Sequence, residues 1–231
     1  MDLAALAAVG GFFELRTGPA DGAHRPLARL YGGEGGPLKS RVDAVTSALS
    51  APDRRTGASI AHLGLAARLW SIALGSAVLH GELPDLDPEA LSWDGGRGAP
   101  DDLLLDAGRR ALPGTAAQIR ESVQDAHLVP LAEAFRRDTR VSRGLLWGNA
   151  GSALAGAVRE VHRWALREGR PDAARRALEL GAELFSHPDL AGTGTLLPGP
   201  AFRRRSCCLY YRCPGAGLCG DCVFDRPPVR V

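Results

Sequence analysis

Long stretches of helical periodicity dominate the chain. From Ala58 to Leu79 the residues are apolar on almost every side, which is typical of a helix at the centre of a protein. A second helix is predicted over Ser142–Leu166, which is rich in glycine and alanine. A third begins at Pro171, a residue that suits the first turn, and its apolar positions recur at helical spacing as far as Phe185. These patterns predict a helical body.

Shorter elements lie between the long helices. The apolar runs at 91–93 and 103–105 are separated by glycines and a proline, which predicts a small two-stranded hairpin. Two more helices are predicted over 115–127 and 129–137. We expect them to meet at Pro130, because proline interrupts helical hydrogen bonding.

The helical pattern ends before the C terminus. Residues 186–200 are dominated by Gly, Pro, Thr and Asp, which predicts a loop, and β-type aromatic residues follow in 202–211. The predicted fold class is therefore mainly α, of the α+β type. It comprises a helical body, a small β element and a C-terminal segment of loop and strand.

Composition separates that C-terminal segment from the rest of the chain. The 231 residues fit one domain (1–231), with a body at 1–199 and a distinct segment at 200–231. The whole chain has a formal charge of +2. The segment has six arginines and two acids, hence +4, whereas the body has 22 bases and 24 acids, hence −2. All five cysteines lie between Cys207 and Cys222.

Charge and hydropathy bear on the cellular location. The start of the chain, residues 1–5, contains an acid and no Lys or Arg, so we expect no secretory signal. Arg68 lies in the middle of the most apolar stretch, and an arginine at mid-membrane costs about 2.5 kcal/mol or more. We therefore expect no transmembrane segment and a cytoplasmic location, with attachment to the inner face of the membrane left open. The small net charge favours no nucleic-acid partner.

The cysteines have the spacing of a metal or cluster site. Four of them follow the pattern C-C-x10-C-x2-C, namely Cys207, Cys208, Cys219 and Cys222. Soft thiolates in this number select zinc or an iron–sulfur centre. Adjacent cysteines point in opposite directions on a regular strand, so both can be ligands only where the backbone is irregular. Zinc more often uses two separated C-x2-4-C pairs, so the spacing favours a cluster, and zinc is the alternative.

Arginines near these cysteines can offset the negative charge of a thiolate-bound cluster. Cations and hydrogen bonds beside cluster sulfurs raise the reduction potential, and Arg205 and Arg212 are the candidates for this role. The alternative for both is an ordinary solvated arginine.

The cysteine segment resembles a known family. The runs Arg-Ser-Cys-Cys-Leu-Tyr-Tyr-Arg (205–212) and Pro-Gly-Ala-Gly-Leu-Cys-Gly-Asp-Cys (214–222) are similar to the C-terminal region of the FhuF-like ferric-siderophore reductases. A weaker similarity includes Leu-Trp-Gly-Asn (146–149) in the body. The resemblance implies a [2Fe–2S] cluster held by Cys207, Cys208, Cys219 and Cys222. Cys213 falls in the spacer, where the family pattern requires no cysteine.

The resemblance also implies an activity, the one-electron reduction of an Fe(III)-siderophore to Fe(II), which releases the iron in the cytoplasm. Such a transfer needs no acid, base or nucleophile, and each of the six histidines stands alone in the sequence. No flavin or nicotinamide site is evident, so a ferredoxin or flavoprotein is the expected electron donor. Trp147 and Asn149 are candidates to line the substrate cleft, with packed, hydrogen-bonded core residues as the alternative.

Two other functions remain open from the sequence. A cluster with accessible thiolates next to the arginine run 203–205 would suit a redox or iron sensor, although no helix-turn-helix is recognisable. A zinc-stapled interaction protein is the other alternative.

Overall fold

A computed structural model describes residues 2–228, which form a mainly helical structure with three small sheets. Residue 1 and residues 229–231, the end of the expected C-terminal segment, lie outside the described residues. The predicted α+β class is confirmed. In chain order the elements are α1 (Leu3–Ala7), β1 (Arg16–Thr17), β2 (Arg25–Pro26), α2 (Leu27–Gly32), α3 (Gly35–Ala48), α4 (Arg54–His80), β3 (Glu82–Pro84), β4 (Leu91–Trp93), β5 (Leu103–Leu105), β6 (Ala111–Pro113), α5 (Ala116–Ile119), a π-helix (Arg120–Leu128), α6 (Val129–Asp138), α7 (Arg143–Arg167), α8 (Pro171–Phe185), α9 (Pro188–Ala191), β7 (Gly194–Leu196), β8 (Phe202–Arg204) and a 3-10 helix (Tyr210–Arg212).

Helix α4 is the centre of the core, as its all-round apolar pattern predicts. It packs against α7 on one side and α3 on another. The helix begins where the Asp53 carboxylate accepts a hydrogen bond from the Thr56 backbone N–H at 2.8 Å, a normal N-cap. It ends at Gly81, whose φ of 70° is the left-handed conformation that glycine adopts without strain.

The arginine inside α4 is buried, and each of its side-chain nitrogens donates a hydrogen bond. Arg68 is 1% exposed, and its Nε lies 2.9 Å from a carboxylate oxygen of Asp102. Its other nitrogens donate to the backbone carbonyls of Gly11, Phe12, Glu14 and Pro100. A buried charge of this kind is tolerated only when it is paired and hydrogen-bonded. Arg68 therefore fastens the N-terminal segment to the central helix.

The surroundings of helix α4 bear on whether this helix spans a membrane. By length and composition it could cross a membrane, but 72% of its most apolar window is buried inside the structure. Together with the Arg68–Asp102 pair, this burial is what a core helix shows.

The predicted hairpin exists and belongs to a larger sheet. Strands β4 and β5 pair antiparallel, with Ser92 opposite Leu104. The N-terminal strands β1 and β2, which the sequence pattern does not predict, complete a four-stranded sheet in the order β1-β5-β4-β2. Strand β1 is parallel to β5, and the other pairs are antiparallel. A second small sheet pairs β3 with β6.

One detail of the predicted elements is wrong, the loop at 186–200, whereas the helices predicted at 115–127 and 129–137 are present and meet next to Pro130. They form one helical run from α5 through the π-helix into α6, and Pro130 lies in the first turn of α6. At the junction the Val129 N–H reaches back five residues to the Gln124 carbonyl, a π-type bond. The predicted loop at 186–200 contains helix α9 and strand β7, which pairs antiparallel with β8.

The small residues of α7 allow the C-terminal chain to pass close to the helix. A Cβ atom at Gly148 would collide with the Ser206 hydroxyl, and one at Gly151 would collide with the Thr193 hydroxyl. The segment from Thr193 to Ser206, which includes β7 and β8, therefore lies directly against α7. This close approach places the cysteine segment beside the two longest helices.

Candidate iron–sulfur centre

The backbone around the cysteines is held by a few hydrogen bonds. The Arg204 N–H donates to the Asp221 carbonyl at 3.0 Å, which joins the end of β8 to the second cysteine pair. The Cys222 N–H donates to the Cys219 carbonyl at 3.1 Å, so these two cysteines flank a tight turn. Leu209, directly after the vicinal pair, has a φ of 68°. This left-handed residue supplies the irregular backbone that vicinal ligands require.

Each of the four predicted ligand sulfurs accepts a hydrogen bond from the backbone two residues later. The Leu209 N–H donates to Cys207 Sγ at 3.2 Å, and the Phe224 N–H donates to Cys222 Sγ at 3.4 Å. In the same way, the Tyr210 backbone N–H donates to Cys208, and the Asp221 backbone N–H donates to Cys219. Since N–H groups aimed at sulfur stabilise thiolate, the repeated pattern suits sulfurs that bind a metal or cluster.

The four thiols also influence one another, so their sulfurs lie close together. The Cys219 thiol donates a hydrogen bond to Cys208, which lowers the pKa of Cys208 and raises the pKa of Cys219. Burial raises the pKa of Cys207, and the neighbouring Cys208 and Cys222 add to that increase. Cys208 is 2% exposed, whereas Cys207, Cys219 and Cys222 are each partly exposed. One side of the group is therefore open to solvent.

The four cysteines match the ligand number of a [2Fe–2S] cluster, which takes four thiolates divided between two irons. Within residues 2–228, no group of three or more His, Cys, Asp or Glu side chains has the arrangement of a site for one metal ion. Cys213 lies at the C-terminal end of the 3-10 helix and is 1% exposed.

The cation beside the sulfurs is Arg204. The residue is 2% exposed, and its positive charge acts to lower the pKa of Cys207, Cys208 and Cys219. Nε donates to the Ser206 carbonyl at 2.9 Å, and Nη2 donates to Asn149 Oδ1 at 2.6 Å. Nη1 is buried without a hydrogen-bond partner. An unpaired cationic donor close to three of the cysteines is a group whose hydrogen bond a negatively charged cluster would accept.

The structure shows the surroundings of Arg212 and Arg205, the two arginines expected from the sequence. Arg212 Nη1 is 2.7 Å from a carboxylate oxygen of Asp53, the residue that caps α4, and so fastens the 3-10 helix to that helix. The Arg205 side chain is exposed. Alternation along β8 could have identified Arg204, because Phe202 and Arg204 face inward whereas Arg203 faces outward.

Asn149 belongs to a buried network that supports the cysteine segment. The side chain is 0% exposed, and its Nδ2 donates to the backbone carbonyl and the hydroxyl of Ser59 on α4. The Ser59 hydroxyl in turn donates to the Cys208 carbonyl at 2.7 Å. A cleft-lining role does not fit a side chain without exposed surface. Trp147 is 7% exposed and packs in the hydrophobic core.

Asp221, within the second cysteine pair, forms a similar connection to α7. Its carboxylate accepts hydrogen bonds from the Ser152 hydroxyl at 2.6 Å and from Arg159 Nη1 at 2.9 Å. At 5% exposure it is a nearly buried ion pair, which is strong only when its hydrogen bonds are all made. The turn between Cys219 and Cys222 is thus fixed to the body by one carboxylate.

Comparison with known proteins agrees with this geometry. Residues 204–224 match the FhuF 2Fe-2S C-terminal domain. The chain is also similar to a ferric siderophore reductase of Escherichia coli (strain K12), at 29% identity over 118 residues, which cover 50% of this chain and 44% of that protein. The chain thus spans less than half of the length of this relative. The match favours a cluster over the zinc alternative, and the cofactor is a [2Fe–2S] cluster. Residues 204–224 are thus similar to the FhuF [2Fe–2S] C-terminal domain, and half of the chain is similar to a ferric siderophore reductase.

Proposed function

We propose that this protein reduces an Fe(III)-siderophore to Fe(II) by one-electron transfer, and so releases the iron in the cytoplasm. The observation that supports the proposal best is the group of four cysteines with i+2 backbone N–H donors, within a segment that matches a FhuF cluster domain. A [2Fe–2S] cluster at this site would supply single electrons. Hard oxygen ligands bind Fe(III) much more tightly than Fe(II), so the reduction loosens the chelate.

We propose Cys207, Cys208, Cys219 and Cys222 as the cluster ligands. All four have the i+2 hydrogen bond and lie within electrostatic reach of one another. Cys208→Ser is expected to abolish iron and acid-labile sulfide in anaerobically purified protein. Cys213→Ser is the matched control, because it changes another buried cysteine of the same segment, and it is expected to retain both. Loss of iron in Cys213→Ser with retention in Cys208→Ser would overturn the assignment.

The residues around the sulfurs have distinct tasks in this proposal. Arg204 would offset the negative charge and supply a hydrogen-bond donor through Nη1. Asn149 and Ser59 would hold Arg204 and the Cys208 carbonyl in place, so that little rearrangement accompanies a change of charge. The partial exposure of three ligands, Cys207, Cys219 and Cys222, would let electrons enter and leave the cluster. The electron transfer itself would require no proton transfer by the protein.

We further propose that residues 1–231 form one domain, in which the body 1–199 faces the siderophore and the segment 200–231 holds the cluster. A ferredoxin or flavoprotein would be the electron donor. Its docking would be favoured by the outward-facing Arg203 and Arg205, since both are exposed. Rapid reduction of a ferric siderophore by NADPH with this protein alone would refute the need for a separate donor.

The function is tested by adding the Fe(III) complex of desferrioxamine B or of ferrichrome to dithionite-reduced protein freed of excess dithionite. Reoxidation seen in the visible spectrum should accompany the appearance of Fe(II), trapped by a ferrous chelator, in one-to-one ratio. A reduced protein that neither complex reoxidises would refute the proposed function. It would then favour a sensor, whose cluster responds to oxidants or to iron supply without turning over a chelate.

A further inference from the structure

A cleft of about 440 Å³ lies beside the second cysteine pair. Its lining includes Cys219, Gly220 and Asp221 from the cluster segment. Four further clefts formed by described residues include no cysteine. The volume is in the range of small-molecule sites. In this cleft a small molecule can therefore come next to a proposed cluster ligand.

Another part of the cleft lining is the N-terminal segment 9–13. Phe12 is 46% exposed, although the backbone carbonyl of this residue accepts a hydrogen bond from the buried Arg68. Arg68 also holds the carbonyls of Gly11 and Glu14. The exposed aromatic ring is thus carried by an immobilised backbone. An apolar side chain presented in this manner lowers the entropic cost of binding an apolar partner.

Helices α4 and α7 also line the cleft, and their contribution is called the floor here. It includes the apolar residues Leu63 and Ala67 of α4 and Ala153 and Ala157 of α7, together with the hydroxyl residues Ser71 and Ser152. The charged side chains at the edge are paired within the protein, Arg159 with Asp221 and Glu160 with Arg163. The cleft therefore offers apolar surface in its interior and no unpaired charge on the part of its rim formed by these described residues.

We propose that this cleft binds the ferric chelate, with Phe12 and the apolar floor in contact with apolar groups on the outer surface of the chelate. The inference rests on the proposed function. Electron transfer weakens steeply with distance, and binding here would place the iron on the Cys219 side of the cluster segment. One electron would pass from the reduced protein to Fe(III), giving Fe(II) without making or breaking a covalent bond. A ferredoxin or flavoprotein would restore the electron.

The chain offers a way to fill the cleft without disturbing the fold. Gly156 of α7 lines the cleft, and a Cβ atom added there would meet only Nη2 of Arg159, at 3.8 Å. Gly156→Leu also replaces a poor helix former with a good one, so the protein should fold. Gly144→Leu is the matched control, because Gly144 lies on the same helix, is exposed and has no atom within 4 Å of the added Cβ.

The test measures binding separately from electron transfer. The Ga(III) complexes of desferrioxamine B and ferrichrome, which are not reduced, are titrated into the iron–sulfur protein and binding is followed calorimetrically. Gly156→Leu should weaken binding about tenfold or more, because the new side chain occupies the site, and Gly144→Leu should leave it unchanged. Phe12→Ser should weaken binding severalfold, whereas Leu166→Ser, which alters another exposed apolar residue, should not.

The outcomes separate this inference from the function on which it rests. If the wild type binds a Ga(III) complex and Gly156→Leu binds it equally well, the cleft is overturned as the chelate site. The cleft is also overturned if ferric chelates reoxidise reduced Gly156→Leu and the wild type at equal rates. If the wild type neither binds the Ga(III) complexes nor is reoxidised by the ferric ones, the proposed function itself fails.

Discussion

Replacement of Arg204 by methionine is expected to lower the reduction potential of the cluster and to destabilise the protein. Arg204 is the buried cation whose charge acts on Cys207, Cys208 and Cys219. At an effective dielectric constant of about 20, a unit charge about 8 Å away stabilises an added electron by about 2 kcal/mol. For a one-electron couple this corresponds to a fall of about 90 mV when the charge is removed.

The cost to stability follows from the hydrogen bonds that would be lost. Arg204 makes one bond of 2.6 Å to Asn149 and one of 2.9 Å to the Ser206 carbonyl, and a charged hydrogen bond is worth about 1.5–3 kcal/mol. Burial of the methionine side chain would recover part of the stabilisation lost with these two hydrogen bonds. We therefore expect the free energy of unfolding to fall by a net amount of about 3 kcal/mol. In a chain of this size, the midpoint of thermal unfolding should fall by about 6–12 °C.

Arg205→Met is the control, since Arg205 is the next residue but its side chain is exposed. Anaerobic redox titration followed by EPR would give the potentials, and iron analysis would confirm that each variant holds its cluster. We expect Arg205→Met to shift the potential by less than a third of the Arg204→Met effect, because solvent screens exposed charges. A larger shift in Arg205→Met than in Arg204→Met would refute the assignment of Arg204 as the tuning cation.

Two further predictions concern stability. Burial lowers the pKa of His62 to about 3 and that of His127 to about 4, so both are neutral when folded but bind protons below about pH 6.5 when unfolded. The unfolded state therefore binds more protons from about pH 6.5 down to these values, and the stability in urea should fall by about 2 kcal/mol per pH unit near pH 6 and by about 2.5 kcal/mol per pH unit near pH 5. His62→Leu should halve that slope, and an unchanged slope would contradict the burial argument. Asp221→Ala should cost about 3 kcal/mol and speed loss of the cluster's visible absorbance, because it removes the two bonds to α7. Asp225→Ala, which alters a carboxylate that is 83% exposed, should have little effect on either measurement.

The sequence was sufficient for features that depend on local pattern. The long helices α4, α7 and α8 were predicted because apolar periodicity over many residues reports directly on burial. The cysteine group was predicted because its chemistry lies within sixteen consecutive positions, Cys207 to Cys222. The vicinal pair even required an irregular backbone, which Leu209 supplies.

Features that depend on distant contacts were not predictable in this way. Strands β1 and β2 are two residues long, too short to show alternation, and they exist because β5 and β4 offer them an edge. The role of Asn149 depends on Ser59, which is 90 positions away in the chain. The choice of Arg204 over Arg205 required the alternation along β8, in which Phe202 and Arg204 face inward, and the cysteine motif alone contains no information about that alternation.

The body of the protein determines how well the cysteine segment can hold a cluster. Apart from β8 and one turn of 3-10 helix, the described part of the segment has no regular structure of its own, and its fixed points are polar contacts to α4 and α7. Ser59 holds the Cys208 carbonyl, Asp53 holds Arg212, and Ser152 with Arg159 holds Asp221. These contacts fix both ends of the spacer between the two cysteine pairs. The two long helices therefore preorganise the site, because they set the positions of the ligand sulfurs before the cluster binds or changes charge.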